Sequence, residues 1–419
     1  LSHLVEDGSV PVEVVDDAVR RVLRLKFCLG LFEHPYTDES LAAKYILTPE
    51  AQDLARQVAQ ESMVLLKNVD RILPLKGSPK IALIGPLANN RADLLGAWAI
   101  TGQASDVCTV LEGFQAYLPA ESLFYTPGCS ITGDETPDIA GAVAAAQHSD
   151  LVVMVLGESV GLSGESHSRV HLGLPGRQQE LADALAATGK PLIAILMSGR
   201  PLAVPHLLQQ VDALLVAWHG GIRAGQAVAD ILFGAVNPSG KLTASWLRAE
   251  GQIPVYYAHK PTGRPAEGSG TTQFHEPFRS TYLDEPNAPL FSFGEGLSYT
   301  QFEYRDLGIH TPALPVDGVL KVSAVIQNTG ERAGEEIVQL YVRDLAGSVT
   351  RPVKELKGFQ KIALQPGEER QVLFEIPVAQ LGFHGLDMVY RVEPGQFTIW
   401  IGPDSTRGLV GEFEVLPNA

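Results

Sequence analysis

The sequence predicts an α/β domain built on a parallel sheet, followed by a β-sandwich and preceded by a short helical segment. Three observations carry this. From residue 80 onward, short apolar runs alternate with helical stretches; after residue 301 the helical signal gives way to period-two alternation; and residues 12–29 form an amphipathic helix with nothing nearby to cover its apolar stripe. With 419 residues, 45% of them hydrophobic and 19% charged, the chain can bury two or three domain cores, and disorder over most of its length is excluded. The charge balance, 32 − 48 = −16, disfavours nucleic acid and anionic membranes as partners.

In the first helix, Val14, Val15, Ala18, Val22, Leu23 and Leu25 are interleaved with Arg20, Arg21, Arg24 and Lys26, and Gly30 supplies a stop. A second helix is expected over about 49–68. The apolar runs Ile81–Gly85, Leu123–Tyr125, Leu151–Gly157, Pro191–Met197 and Ala213–Trp218 read as five strands buried on both faces. Helices near 106–117, 137–148, 176–188 and 222–233 fill the intervals, giving a doubly wound sheet with right-handed crossovers. Residues 234–300 are irregular, with a loop expected at Gly263–Thr272. The alternating sets Leu320-Val322-Ala324-Ile326, Val372-Phe374-Ile376 and Phe397-Ile399-Ile401 are separated by turn residues and predict the β-sandwich. No apolar run is long enough to span a bilayer, no signal peptide is visible, and Cys28, Cys108 and Cys129 allow at most one disulfide.

Open α/β sheets bind ligands beyond the carboxyl ends of their strands. That rule selects the loops at Gly157–Pro175, Ser198-Gly199-Arg200-Pro201 and Trp218-His219-Gly220-Gly221. The first is the richest: residues 157–169 hold two Glu, one His, one Arg, four Ser and three Gly. Glu165, flanked by small residues that let a substrate approach, is the candidate for catalysis. Glu158 ends the strand and is expected to be shielded, its carboxylate hydrogen-bonded to nearby backbone, with a supporting role or catalysis as the alternatives. Arg169 is a second supporting candidate. Trp98 follows the first strand and could stack on a sugar face or simply pack. His219 reads as a hydrogen-bonded structural histidine, with ligand contact as the alternative. No metal site, P-loop, dinucleotide fingerprint or nucleophile elbow is present, so no cofactor is expected. A flavodoxin-like cofactor binder would betray itself by a chromophore.

Together the motifs resemble the C-terminal portion of a family 3 glycoside hydrolase, of the bacterial periplasmic β-glucosidase type. The resemblance runs through Asp16–Leu23, Phe27–Phe32, Val64–Asn68, Pro191–Pro201, Asn237–Leu242, Gln252–Tyr257, Phe293–Tyr299 and Arg351–Phe359. It implies three parts: residues 1–50 as the end of a (β/α)8-type barrel and a linker, 51–300 as an α/β sandwich domain, and 301–419 as a fibronectin type III-like domain. Residues 234–300 would then wrap along the last two.

The same resemblance implies a retaining exo-β-glucosidase, acting on β-linked glucosides or oligosaccharides. An Asp on the barrel is the nucleophile, and the position of Glu165 matches the acid/base. Such chemistry needs two carboxyl groups about 5–5.5 Å apart. Trp98 matches the neighbourhood of an aromatic on the aglycone side. Residues 1–35 could supply only the closing helix of a barrel that takes roughly 250 residues. The chain alone is therefore expected to lack the nucleophile, to be inactive without its N-terminal barrel segment, and to expose apolar surface. A periplasmic or secreted location and a homodimer are compatible with the resemblance. The alternative is a non-catalytic carbohydrate-binding or interaction fragment.

Overall fold

Strand β1 (Val64–Asn68) opens a six-stranded sheet that continues through β2 (Ile81–Ile84), β3 (Leu123–Thr126), β4 (Leu151–Gly157), β5 (Leu192–Met197) and β6 (Ala213–Val216). This computed structural model describes residues 1–133, 136–265 and 278–417. The expected loop Gly263–Thr272 therefore lies largely outside the described residues. The strand order is β1-β6-β5-β4-β2-β3, and all neighbours are parallel except β1, which runs antiparallel to β6.

That edge corrects two expectations: the sheet is mixed rather than parallel, and residues 64–68 are strand rather than the end of a helix. The helix stops at Ser62, whose hydroxyl turns back onto the Ala59 carbonyl at 2.9 Å. The run Val64-Leu65-Leu66 that follows is buried on both faces, a pattern that a helix and a central strand share.

Buried strands sort their side chains by parity. Val153 and Val155 of β4 enter one core, while Val152, Met154 and Leu156 enter the other. The first core is closed by α5 (Val110–Gln115) and α9 (Ala224–Leu232), the second by α6 (Ile139–Gln147), α7 (Gln178–Ala186) and the short α8 (Pro205–Gln210). Each fully buried Leu, Ile or Met side chain contributes roughly 1.5–3 kcal/mol, so continuous apolar strands are what this architecture requires.

The β-sandwich packs a five-stranded sheet on a three-stranded one. The three-stranded sheet joins β7 (Phe302–Ile309), β9 (Val319–Asn328) and β12 (Glu369–Pro377); the other holds β8 (Ala313–Pro315), β10 (Gly334–Asp344), β11 (Glu355–Leu364), β15 (Gly395–Gly402) and β16 (Leu409–Leu416). A small hairpin, β13 (Phe383–His384) with β14 (Tyr390–Arg391), lies between. The three alternating sets read from the sequence all point into the shared core. The connecting segment touches both layers. Leu297 N–H donates to the Leu65 carbonyl at 2.7 Å, and Val353 N–H donates to the His259 carbonyl at 2.9 Å. Lys241 and Glu336 form a buried ion pair at 3.0 Å. Burial pushes the Glu336 carboxyl up, and the Lys241 ammonium opposes that shift.

Residues 1–53 form a compact unit of their own, with α1 (Ser2–Glu6), α2 (Val12–Cys28), α3 (Leu41–Tyr45) and the start of α4 (Pro49–Ser62). Helix α2 ends where expected, with Gly30 at φ +66°, the left-handed conformation that closes helices. None of its residues is buried, and Val14, Leu25 and Phe27 are each about three-fifths exposed, at 59%, 61% and 63%. All three cysteines are free thiols, and among the described residues no helix is long and apolar enough to cross a membrane.

Candidate active site

Four loops converge at the carboxyl ends of the parallel strands: 85–109 after β2, 158–177 after β4, 198–204 after β5 and 217–223 after β6. The turn out of β4 depends on Gly157, at φ +143°, where a Cβ would fall 1.8 Å from the Met197 carbonyl oxygen. Its backbone is held from both sides by the buried Gln178, whose Oε1 accepts from Gly157 N–H and whose Nε2 donates to the Gly157 carbonyl, each at 2.8 Å. Glu158, the next residue, is thereby driven into the protein and is fully buried, as its strand-end position suggested.

A buried carboxylate needs compensation, and two guanidinium groups supply it rather than the nearby backbone expected from the sequence. Arg169 Nη1 donates to Glu158 Oε1 at 2.5 Å, and Arg200 Nε lies 3.3 Å from the same oxygen. Both arginines also reach the loop: Arg169 Nη2 donates to the Gly173 carbonyl at 3.2 Å, and Arg200 Nη2 donates to the carbonyls of Leu162 and His167, the latter at 2.7 Å.

Glu165 sits at the exposed apex between those two carbonyls. Ser166 takes a left-handed φ of +62° after it, and His167 Nδ1 donates to the Glu165 carbonyl at 2.7 Å. Gly164, at φ +118°, lies against the loop that carries Trp98; a Cβ there would stand 2.8 Å from Ala97 Cβ. Trp98 follows Ala97 directly and is 69% exposed. The two candidate contacts, Glu165 and Trp98, therefore occupy touching loops, and both face solvent.

Three residues with no role legible in the sequence lock this arrangement. Besides Gln178 and Arg200, the buried Asp93 accepts from Val160 N–H through Oδ1 at 2.7 Å and from Asn90 Nδ2 at 2.6 Å. Its carbonyl accepts from His219 Nδ1 at 2.9 Å. Because a carbonyl can only accept, Nδ1 carries the proton and Nε2 is left as an acceptor. Burial lowers the His219 pKa, against the pull of the Asp93 carbonyl and the Glu158 and Asp93 carboxylates, so the ring is neutral at neutral pH. His219 is the hydrogen-bonded histidine expected from the sequence. The one signal for Arg200 and His219 was position, since both follow strand ends; Asp93 and Gln178 carried none.

Comparison with known proteins places these features in a family. Residues 63–299 match the glycosyl hydrolase family 3 C-terminal domain, and residues 336–405 match a fibronectin type III-like domain. The chain is 42% identical to a periplasmic β-glucosidase of Salmonella typhimurium, over 99% of this chain and 57% of that one. It is 37% identical to a β-xylosidase of Formosa agariphila, over 94% of this chain and 54% of that one. Among solved structures, a mutant β-glucosidase from Listeria innocua in complex with laminaribiose superposes with a TM-score of 0.91 at 40% identity, covering 99% of this chain and 56% of that chain. The chain thus spans about half the length of the curated relatives it matches. With the C-terminal domain of the family matched over more than half of its residues, the chain belongs to glycosyl hydrolase family 3.

Proposed function

We propose that this chain is the acid/base-bearing C-terminal portion of a retaining exo-β-glucosidase that removes terminal non-reducing β-linked glucose. The observation that carries the reading is Glu165: an exposed carboxylate at the apex of a braced loop, at the ligand-binding end of the sheet and beside an exposed tryptophan. In this reading Glu165 first protonates the glycosidic oxygen as the bond to the anomeric carbon breaks. It then takes a proton from the water that releases the sugar from the nucleophilic Asp. That Asp belongs to an N-terminal barrel segment, whose closing helix falls within residues 1–50. Residues 51–300 form the α/β domain and 301–419 the fibronectin type III-like domain. The open apolar side chains of α2 fit a helix whose partner surface lies in the barrel. A periplasmic or secreted location and assembly as a homodimer belong to the same reading.

The test is glucose release. The chain alone should release none from cellobiose or 4-nitrophenyl β-glucoside, and the enzyme that includes the barrel should release it from both. Turnover by the chain alone would overturn the division of labour. Trp98 is proposed to line the aglycone side. Trp98→Ala should raise KM for cellobiose by about 10-fold, the value of one lost stacking contact of about 1–1.5 kcal/mol. The same change should leave KM for a methyl glucoside within about twofold and the melting temperature unchanged, because the ring is largely in solvent.

A further inference from the structure

We propose that Arg200 is a positioning residue for the acid/base, clamping both ends of the loop apex that carries Glu165; this rests on the assignment of Glu165 above. One terminal nitrogen, Nη2, donates to the carbonyl of Leu162 just before the apex and to that of His167 just after it, the second at 2.7 Å. The four residues between, Ser163-Gly164-Glu165-Ser166, are thus pinned at both ends by a single group from a different loop. The glutamate side chain itself stands free in solvent with two small residues before it, so the backbone is what aims it.

The clamp is anchored in turn. Arg200 is itself only 21% exposed, and its Nε sits 3.3 Å from the fully buried Glu158 Oε1, the oxygen that also receives Arg169. Arg169 carries the same hub onward to the carbonyl of Gly173, on the descending side of the loop. Carbonyls at three points of one loop are therefore drawn to one buried carboxylate through two guanidinium groups. Ser198 closes the other side, donating its hydroxyl to the Arg200 carbonyl at 2.7 Å. A lysine could keep the charge beside Glu158, but its ammonium is a point charge without the planar fork that spans an ion pair and two carbonyls together.

A displaced acid costs most where the leaving group most needs a proton, and a misplacement of about 1 Å can cost on the order of 100-fold. In the full-length enzyme, Arg200→Lys should therefore lower kcat/KM on cellobiose by about 100-fold and on 2,4-dinitrophenyl β-glucoside by less than about 3-fold. Arg200→Ala should show the same selectivity, and added methylguanidinium should recover part of the loss on cellobiose. Glu165→Ala is run beside them. If Glu165→Ala is selective for poor leaving groups while both Arg200 variants lose equally on the two substrates, or lose nothing, the clamp is refuted and the acid/base assignment stands. If Glu165→Ala is itself unselective, the acid/base assignment fails and the clamp falls with it. A uniform loss with a lowered melting temperature and no methylguanidinium recovery identifies Arg200 as a structural residue only, which also overturns the proposal.

Discussion

Replacing Glu165 by alanine in the enzyme that includes the barrel should lower kcat/KM on cellobiose by about 10³-fold, within the range of about 10²–10⁴ that a general acid supplies. The loss should shrink as the leaving group improves, because 2,4-dinitrophenolate departs without a proton. For that substrate the first step stays fast and the second, now without its base, becomes limiting, so glycosyl-enzyme accumulates and a burst of phenolate precedes a slow steady state. Azide, a nucleophile that needs no base, should accelerate that steady state and yield a β-glucosyl azide. Retention of the β configuration reports the double displacement. Glu165→Gln should follow the same pattern while keeping the size of the side chain. Glu158→Ala should add a loss of stability that Glu165→Ala does not: Glu158 is wholly buried against Arg169 and Arg200, so its removal leaves two guanidinium groups without their carboxylate and lowers the melting temperature. A burst and azide rescue with Glu158→Ala, and neither with Glu165→Ala, would exchange the two roles.

How much of this could be read in the sequence follows from what each segment answers to. Strands β2, β4, β5 and β6 were legible because a run such as Leu151–Leu156, apolar at every position, satisfies an element covered on both faces; β3 was expected to be buried likewise, but it lies at the sheet edge and is only partly covered. Strand β1 was not, because Val64-Leu65-Leu66 continues the apolar phase of α4 and nothing local marks the break after Ser62; its pairing with β6 is a long-range fact. The sandwich strands were legible by parity, whereas α8, only Pro205–Gln210, is shorter than the window over which helical period can be recognised. At the site, Glu165 stood out because a polar loop between a buried strand and a helix demands explanation. Arg200 and Asp93 did not, since their work is to hold carbonyls and amides of distant loops, and a backbone acceptor has no signature in sequence.

The largest expected loss of stability lies away from the chemistry, at Asp230. This carboxylate of α9 is 1% exposed and receives four hydrogen bonds: two from Arg56, at 2.6 and 2.5 Å, one from Gln60 at 2.5 Å and one from Tyr117 at 2.7 Å. It joins α4 and the end of α5 to α9, and so fixes the helical layer over the first core. Asp230→Ala removes the acceptor from all of these donors and should destabilise the fold by about 3 kcal/mol, lowering the melting temperature by roughly 6–12 °C. The pH dependence has a definite sign. Burial raises the Asp230 pKa, but the hydrogen bonds from Arg56, Tyr117 and Gln60 outweigh it and hold the carboxyl below its ordinary value of 3.8. A carboxyl depressed in the folded state stabilises fully above the pKa of the unfolded chain, near 4, and loses that contribution as pH falls toward the folded value. Tyr117, pushed up to about 12 by burial and by its bond to Asp230, stays protonated as a donor throughout. Thermal melts of the native protein and of Asp230→Asn, taken between pH 7 and pH 3, should therefore diverge at neutral pH and converge in acid. An unchanged gap across that range would show that the carboxylate's charge contributes nothing and that its shape alone holds the three helices.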